Sequence, residues 1–186
     1  MRLISSVKEL TLCSGFGALL TFVQLLTGSL VYAVSQVPAS ASLFSALIIG
    51  YLGTMPLLLT RKTGAATITI LTAAIVAVPL SVFGPPGPYK ILQFVPVVIL
   101  TEAILIAARW KNYGYVIAMA AAAATSIPIH YYFITLIGLP AAGLLAKFLL
   151  PIMAVVAAEA AIGAWLAIAT YEKKLKNLKV VKQLQD

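Results

Sequence analysis

Six long apolar stretches, each broken by a short cluster of charged residues, glycine or proline, run the length of the chain. They fall at about 11–34, 41–60, 64–83, 89–108, 113–134 and 144–170. Roughly 20 apolar residues carry a helix across a bilayer, and lipid offers the backbone no hydrogen-bond partners outside a helix or a closed barrel. The pattern therefore predicts an all-α, polytopic membrane protein: a six-transmembrane-helix bundle forming a single integral membrane domain over 1–186. The breaks are Ser35-Gln36-Val37-Pro38, Arg61-Lys62, Gly84-Pro85-Pro86-Gly87-Pro88, Arg109-Trp110-Lys111 and the turn from Thr135 to Ala142 with Gly138 and Pro140. Glu172-Lys173-Lys174 stands early in a basic tail, 171–186.

Composition agrees with the pattern, since 62% of residues are hydrophobic and 10% charged, where soluble domains carry roughly 25% charged residues. The thirteen Lys and Arg against five Asp and Glu would suggest a nucleic-acid partner in a soluble chain. Here they record orientation instead. Arg2, Lys8, Arg61, Lys62, Arg109, Lys111, Lys173, Lys174, Lys176, Lys179 and Lys182, eleven of the thirteen, fall on one side of a six-span chain. Short basic loops stay in the cytoplasm, so both termini are expected there, in a multi-pass protein of the cell membrane with no nucleic-acid partner. Lys90 and Lys147 fall on the other side, each near a helix start from which it can snorkel to the headgroups. The tail reads as a solvated or headgroup-facing amphipathic segment. Arg2, Lys8 and the first apolar run imitate a signal peptide, but the run exceeds the 7–15 residues of a signal core and reads as a retained first helix. Cys13 is the sole cysteine, which excludes an intramolecular disulfide and a multi-cysteine metal site.

Candidate chemistry is sparse. No Walker loop, HExxH pair, hydrolase elbow or dinucleotide fingerprint occurs, so no catalytic residue, cofactor or metal ligand is assigned and the chain reads as a non-enzyme. Glu102 and Glu159 lie within spans, where a carboxylate must be paired or face a cavity. Glu102 suits a structural role, bonded to a neighbouring helix or to a basic residue at the inner surface, with a coupling role as the alternative. Glu159, among alanines, suits a protonated buried carboxyl, pairing across helices or closing the floor of a substrate pocket. The outer half of the fifth span carries Thr125, Ser126, His130, Tyr131 and Tyr132, with Ser126 and His130 on one face at i, i+4. Joined by Tyr89, Lys90 and Gln93 at the outer start of the fourth span, they form the candidate small-molecule pocket. Tyrosines at this level also serve as interfacial anchors. Pro96 and Pro128 each release a helix hydrogen bond beside it. On the first span, Ser14 and Ala18 share a face, and Gly17, Thr21, Gln24 and Gly28 make a second small or polar stripe. Such stripes let helices approach closely in lipid, either within the bundle or against another subunit.

Arg61-Lys62-Thr63-Gly64-Ala65-Ala66 opening a helix, Phe83-Gly84-Pro85-Pro86-Gly87-Pro88 as an outer loop, and a helix carrying Glu102 before a basic inner turn together resemble the substrate-binding S components of energy-coupling-factor (ECF) vitamin importers. The similarity is greatest to the group linked to hydroxymethylpyrimidine and thiamine-precursor uptake, with Thr63 where that group has a proline. It covers about residues 60–110 in motifs and the whole chain in span count. The resemblance implies a subunit of an ABC-type importer that captures a vitamin or vitamin precursor, thiamine-related, from outside. It implies association with a transmembrane coupling subunit and cytoplasmic ATPases, met through a small-residue face for which Ser14 and Ala18 are the nearest match. The binding residues expected are Tyr89, Lys90, Gln93, Ser126, His130 and Glu159. The alternatives are a structural or assembly membrane protein without a ligand, and a self-contained proton-coupled carrier using Glu102 or Glu159.

Overall fold

A computed structural model describes residues 3–35, 40–80, 86–136, 138 and 142–185. Among them the chain forms α1 (Val7–Ser35), α2 (Ser40–Thr60), α3 (Ala65–Ala77), α4 (Tyr89–Ala107), α5 (Asn112–Leu136) and α6 (Ala142–Thr170), then a π-helical turn (Tyr171–Leu175) and α7 (Lys179–Gln185). Four stretches are long and apolar enough to cross a membrane: Val7–Leu30, Tyr89–Ala107, Asn112–Phe133 and Ala146–Leu175. Ser45–Thr60 and Ala65–Ala77 are shorter apolar stretches. Of the expected breaks, residues 36–38, Gly84, Pro85 and residues 137 and 139–141 of the turn before α6 lie outside the described residues.

α1 starts on a capping box. The Glu9 N–H donates to Ser6 Oγ at 3.2 Å, and the Glu9 carboxylate reaches back to the Ser5 N–H at 3.2 Å, so free amides at the helix start are satisfied by the S-x-x-E pattern. The other Glu9 oxygen pairs with Lys62 Nζ at 2.9 Å, both side chains buried. The Ile4 N–H donates to the Thr63 carbonyl at 3.1 Å, and these bonds tie the start of α1 to the α2–α3 turn.

α3 is shorter than the 64–83 expected. Its 13 residues extend about 20 Å at 1.5 Å per residue, against a hydrocarbon core of roughly 30 Å. Val78 keeps right-handed helical backbone as the C-cap, and Pro79, which has no N–H to donate, ends the helix after it.

The helices pack through small residues. A Cβ on Gly163 would strike the Leu47 carbonyl, and one on Gly50 the Ala160 carbonyl, so α2 and α6 meet backbone to backbone. Gly17 lies equally tight against the backbone of Thr69 on α3, and Thr21 donates to the Ala73 carbonyl at 3.0 Å. The Gly17, Thr21 and Gln24 stripe therefore serves packing within the bundle. Large apolar side chains such as Phe22, Leu26, Leu92, Ile99, Leu150 and Trp165 point outward, the arrangement of helices solvated by lipid.

Candidate ligand site

α4 runs antiparallel to α3 and decides what sits at each of its ends. Gly64, at φ +94°, has no side chain with which to cap α3. Glu102 supplies the cap from the neighbouring helix: its Oε1 accepts from the Gly64 N–H at 2.9 Å and from the Thr67 N–H at 3.2 Å. At the far end Lys90, 0% exposed, donates from Nζ to the Ala77 carbonyl at 2.8 Å and to the Leu80 carbonyl. Negative charge at the start of a helix and positive charge at its end both complement the macrodipole. Glu102 thus takes the structural role anticipated for it. Lys90 does not snorkel to the surface; it reaches into the bundle, where the unpaired carbonyls at the end of α3 offer its ammonium partners.

One turn along α4 from Lys90, the Gln93 amide meets His130 of α5, with Nε2 to Nδ1 at 3.1 Å. With the amide nitrogen donating, Nδ1 accepts and the imidazole proton sits on Nε2. Gln93 is 3% exposed, and its Oε1 is enclosed without a protein partner. The pair therefore leaves one acceptor, Gln93 Oε1, without a protein partner and carries one donor, His130 Nε2. Aromatic rings lie beside it: Tyr89 and Phe133 stand 5.7 Å apart between centroids, and Tyr132 packs edge-on to Phe133. Phe133, adjacent to Tyr132, has no distinguishing signal in the sequence, since phenylalanine is an ordinary member of an apolar run.

The remaining candidates lie elsewhere or are turned inward. Ser126, half-buried one turn before His130, donates to the Ala123 carbonyl at 2.7 Å. Glu159 belongs to the α2–α6 interface, beside Leu47 of α2, and keeps Oε2 enclosed without a partner. Ser14 and Ala18 are half-buried on α1, flanking Gly15, which has open space around it.

The end of the bundle opposite the Gln93–His130 pair is basic. The Arg61 guanidinium lies over the Tyr171 ring at 5.4 Å, and Trp110 meets Tyr115 edge-on at 6.2 Å. Arg61, Arg109 and Trp110 adopt left-handed backbone at φ 51°, 51° and 56°. The helices here end by reversing direction at bulky residues, which costs on the order of 1–2 kcal/mol each.

A family model described as the permease component of an ABC-type cobalt transport system matches residues 8–128. A solved structure described as an S component of an ECF transporter aligns with a TM-score of 0.65 at 22% identity, over 97% of this chain and 93% of that one. No curated protein matches.

Proposed function

Because the chain belongs to the family of ABC-type cobalt transport permease components, we propose that it is the membrane-embedded substrate-binding subunit of an ECF-type importer. It is a multi-pass membrane transport component rather than an enzyme, with a fold like that of an ECF S component. In the proposed topology six helices cross the membrane and both termini face the cytoplasm. The gathering of Arg61, Arg109, Lys111 and the tail lysines at one end supports this orientation by the positive-inside rule.

The observation that carries the reading is the Gln93–His130 pair, with a buried amide oxygen awaiting a donor. Left without one, such an oxygen costs about 1–3 kcal/mol, and a ligand offering an N–H beside an acceptor satisfies both partners at once. The nearby Tyr89 and Phe133 rings suit a flat heterocycle. That chemistry fits a vitamin or vitamin precursor, and a thiamine-related pyrimidine is one such molecule. It suits a metal cation poorly: His130 Nδ1 already faces the Gln93 amide, and the ammonium of Lys90 lies one turn from Gln93, whereas divalent cations gather several free donors. The ligand site is placed on Tyr89, Gln93, Ser126 and His130, with Lys90 holding the frame. Ser14 and Ala18 are the proposed contact with the coupling subunit, which would bring the ATPases.

Mass spectrometry of small molecules extracted from the purified protein tests the ligand class; a heterocycle with adjacent donor and acceptor is the expected result. For that compound His130→Ala and Gln93→Ala are each expected to weaken binding about ten-fold, one charge-neutral hydrogen bond. Full affinity in both variants would displace the site from the α4–α5 interface.

A further inference from the structure

The tail after α6 does not simply trail from the bundle. α7 buries Val181 and Leu184, and Val181 joins the same core cluster as Leu57, Leu58 and Tyr171. The π-helical turn is held at its start, where Tyr171 is buried beneath the Arg61 guanidinium. With these apolar residues turned inward, Lys173, Lys174, Lys179 and Lys182 are all exposed, as are Arg109 and Lys111 at the end of α4. Lys176 pairs with Glu172 at 2.8 Å and stands apart from the group. Leu178, 49% exposed, lies among the lysines, and Trp110 sits between Arg109 and Lys111 at the level where membrane proteins place aromatic anchors.

The apolar run of the sixth helix gives way to Glu172-Lys173-Lys174 just after Thr170, so in the proposed topology these cations lie close to where the chain leaves the bilayer. At about 8–10 Å the Debye length at ordinary ionic strength reaches the adjacent headgroups, and clustered basic residues close to a membrane are attracted to anionic lipid. We propose that α7, the π-helical turn and the α4–α5 turn form a preorganised binding surface for anionic phospholipid headgroups of the adjoining leaflet. Docking of Val181 and Leu184 sets which way the lysines face, so the surface does not have to be ordered when lipid arrives.

The test uses the full chain in nanodiscs of mixed phosphatidylglycerol and phosphatidylcholine, with retained lipid counted by native mass spectrometry after extraction. The wild type is expected to retain phosphatidylglycerol selectively, less so at high salt. Changing Lys173, Lys174, Lys179 and Lys182 together to Gln should abolish the selectivity, since each lysine near a membrane surface is worth about five-fold in binding. The corresponding four-Arg variant should keep it, and Lys147→Gln, exposed on α6 near its start, should leave it unchanged. Equal retention of the two lipids by wild type, or selectivity that ignores salt, overturns the proposal even if the four-Gln variant fails to fold. Selectivity unchanged in a folded four-Gln variant also overturns it, and loss of ATPase co-purification in that variant would then assign the surface to an acidic protein partner.

Discussion

Lys90 and Glu102 stand twelve positions apart on α4 and grip opposite ends of α3, one at its last carbonyls and the other at its first amides. Twelve residues of helix rise about 18 Å and the 13 of α3 about 20 Å, so one rigid helix matches the length of its neighbour. Glu102→Ala is expected to lower unfolding free energy by about 1–2 kcal/mol, the worth of a lost helix cap, and Lys90→Met by about 1–3 kcal/mol through carbonyls left unpaired. At that separation the two effects should add to within about 0.5 kcal/mol. Denaturation of the purified double variant checks the sum; strong non-additivity would mean that the two contacts are not independent clamps.

The buried Glu9–Lys62 pair joins the start of α1 to the α2–α3 turn. Removing one partner strands a charge in a poorly hydrated place, so Lys62→Met alone should cost about 3–5 kcal/mol. Combining it with Glu9→Gln should recover much of the loss, because the stranded charge is then gone. A double-mutant cycle on thermal unfolding in detergent measures this, and a double variant no better than Lys62→Met would contradict it.

Glycines on different faces should respond in opposite ways. Gly163→Ala drives a methyl into the Leu47 backbone, which cannot swing aside as a side chain would, and should destabilise by about 1–3 kcal/mol. Gly15→Ala meets nothing and removes a helix-interior glycine, for a gain of about 0.5–1 kcal/mol. Comparing the two melting curves decides the matter; equal effects would argue against backbone contact between α2 and α6.

Orientation is open to chemical labelling. In a Cys13→Ser background, Pro86→Cys in the exposed turn before α4 should react with an impermeant maleimide added to intact cells, while Lys174→Cys should react only after permeabilisation. The reverse pattern would invert the bundle and move the Gln93–His130 pair to the cytoplasmic side.

The apolar periods, the basic clusters and the helix-breaking residues are local properties, so the sequence by itself determined an all-helical membrane protein, the approximate limits of α1, α2, α4, α5 and α6, and the one-sided placement of positive charge. It also placed Gln93 and His130 in one candidate group, since polar side chains are conspicuous among alanine and valine. What tertiary structure decided was partnership. Lys90 read as a surface or ligand-facing group until the carbonyls at the end of α3 came within its reach, and Glu102 has its partners 35 and 38 positions away. Lys62 counted only as topology until Glu9 was brought beside it. The tail lysines owe their common outward direction to Val181 and Leu184 docking under α2. Charge in a membrane protein is placed by whatever unsatisfied dipole or opposite charge lies nearest in space, and that neighbour is fixed by helix packing rather than by sequence spacing.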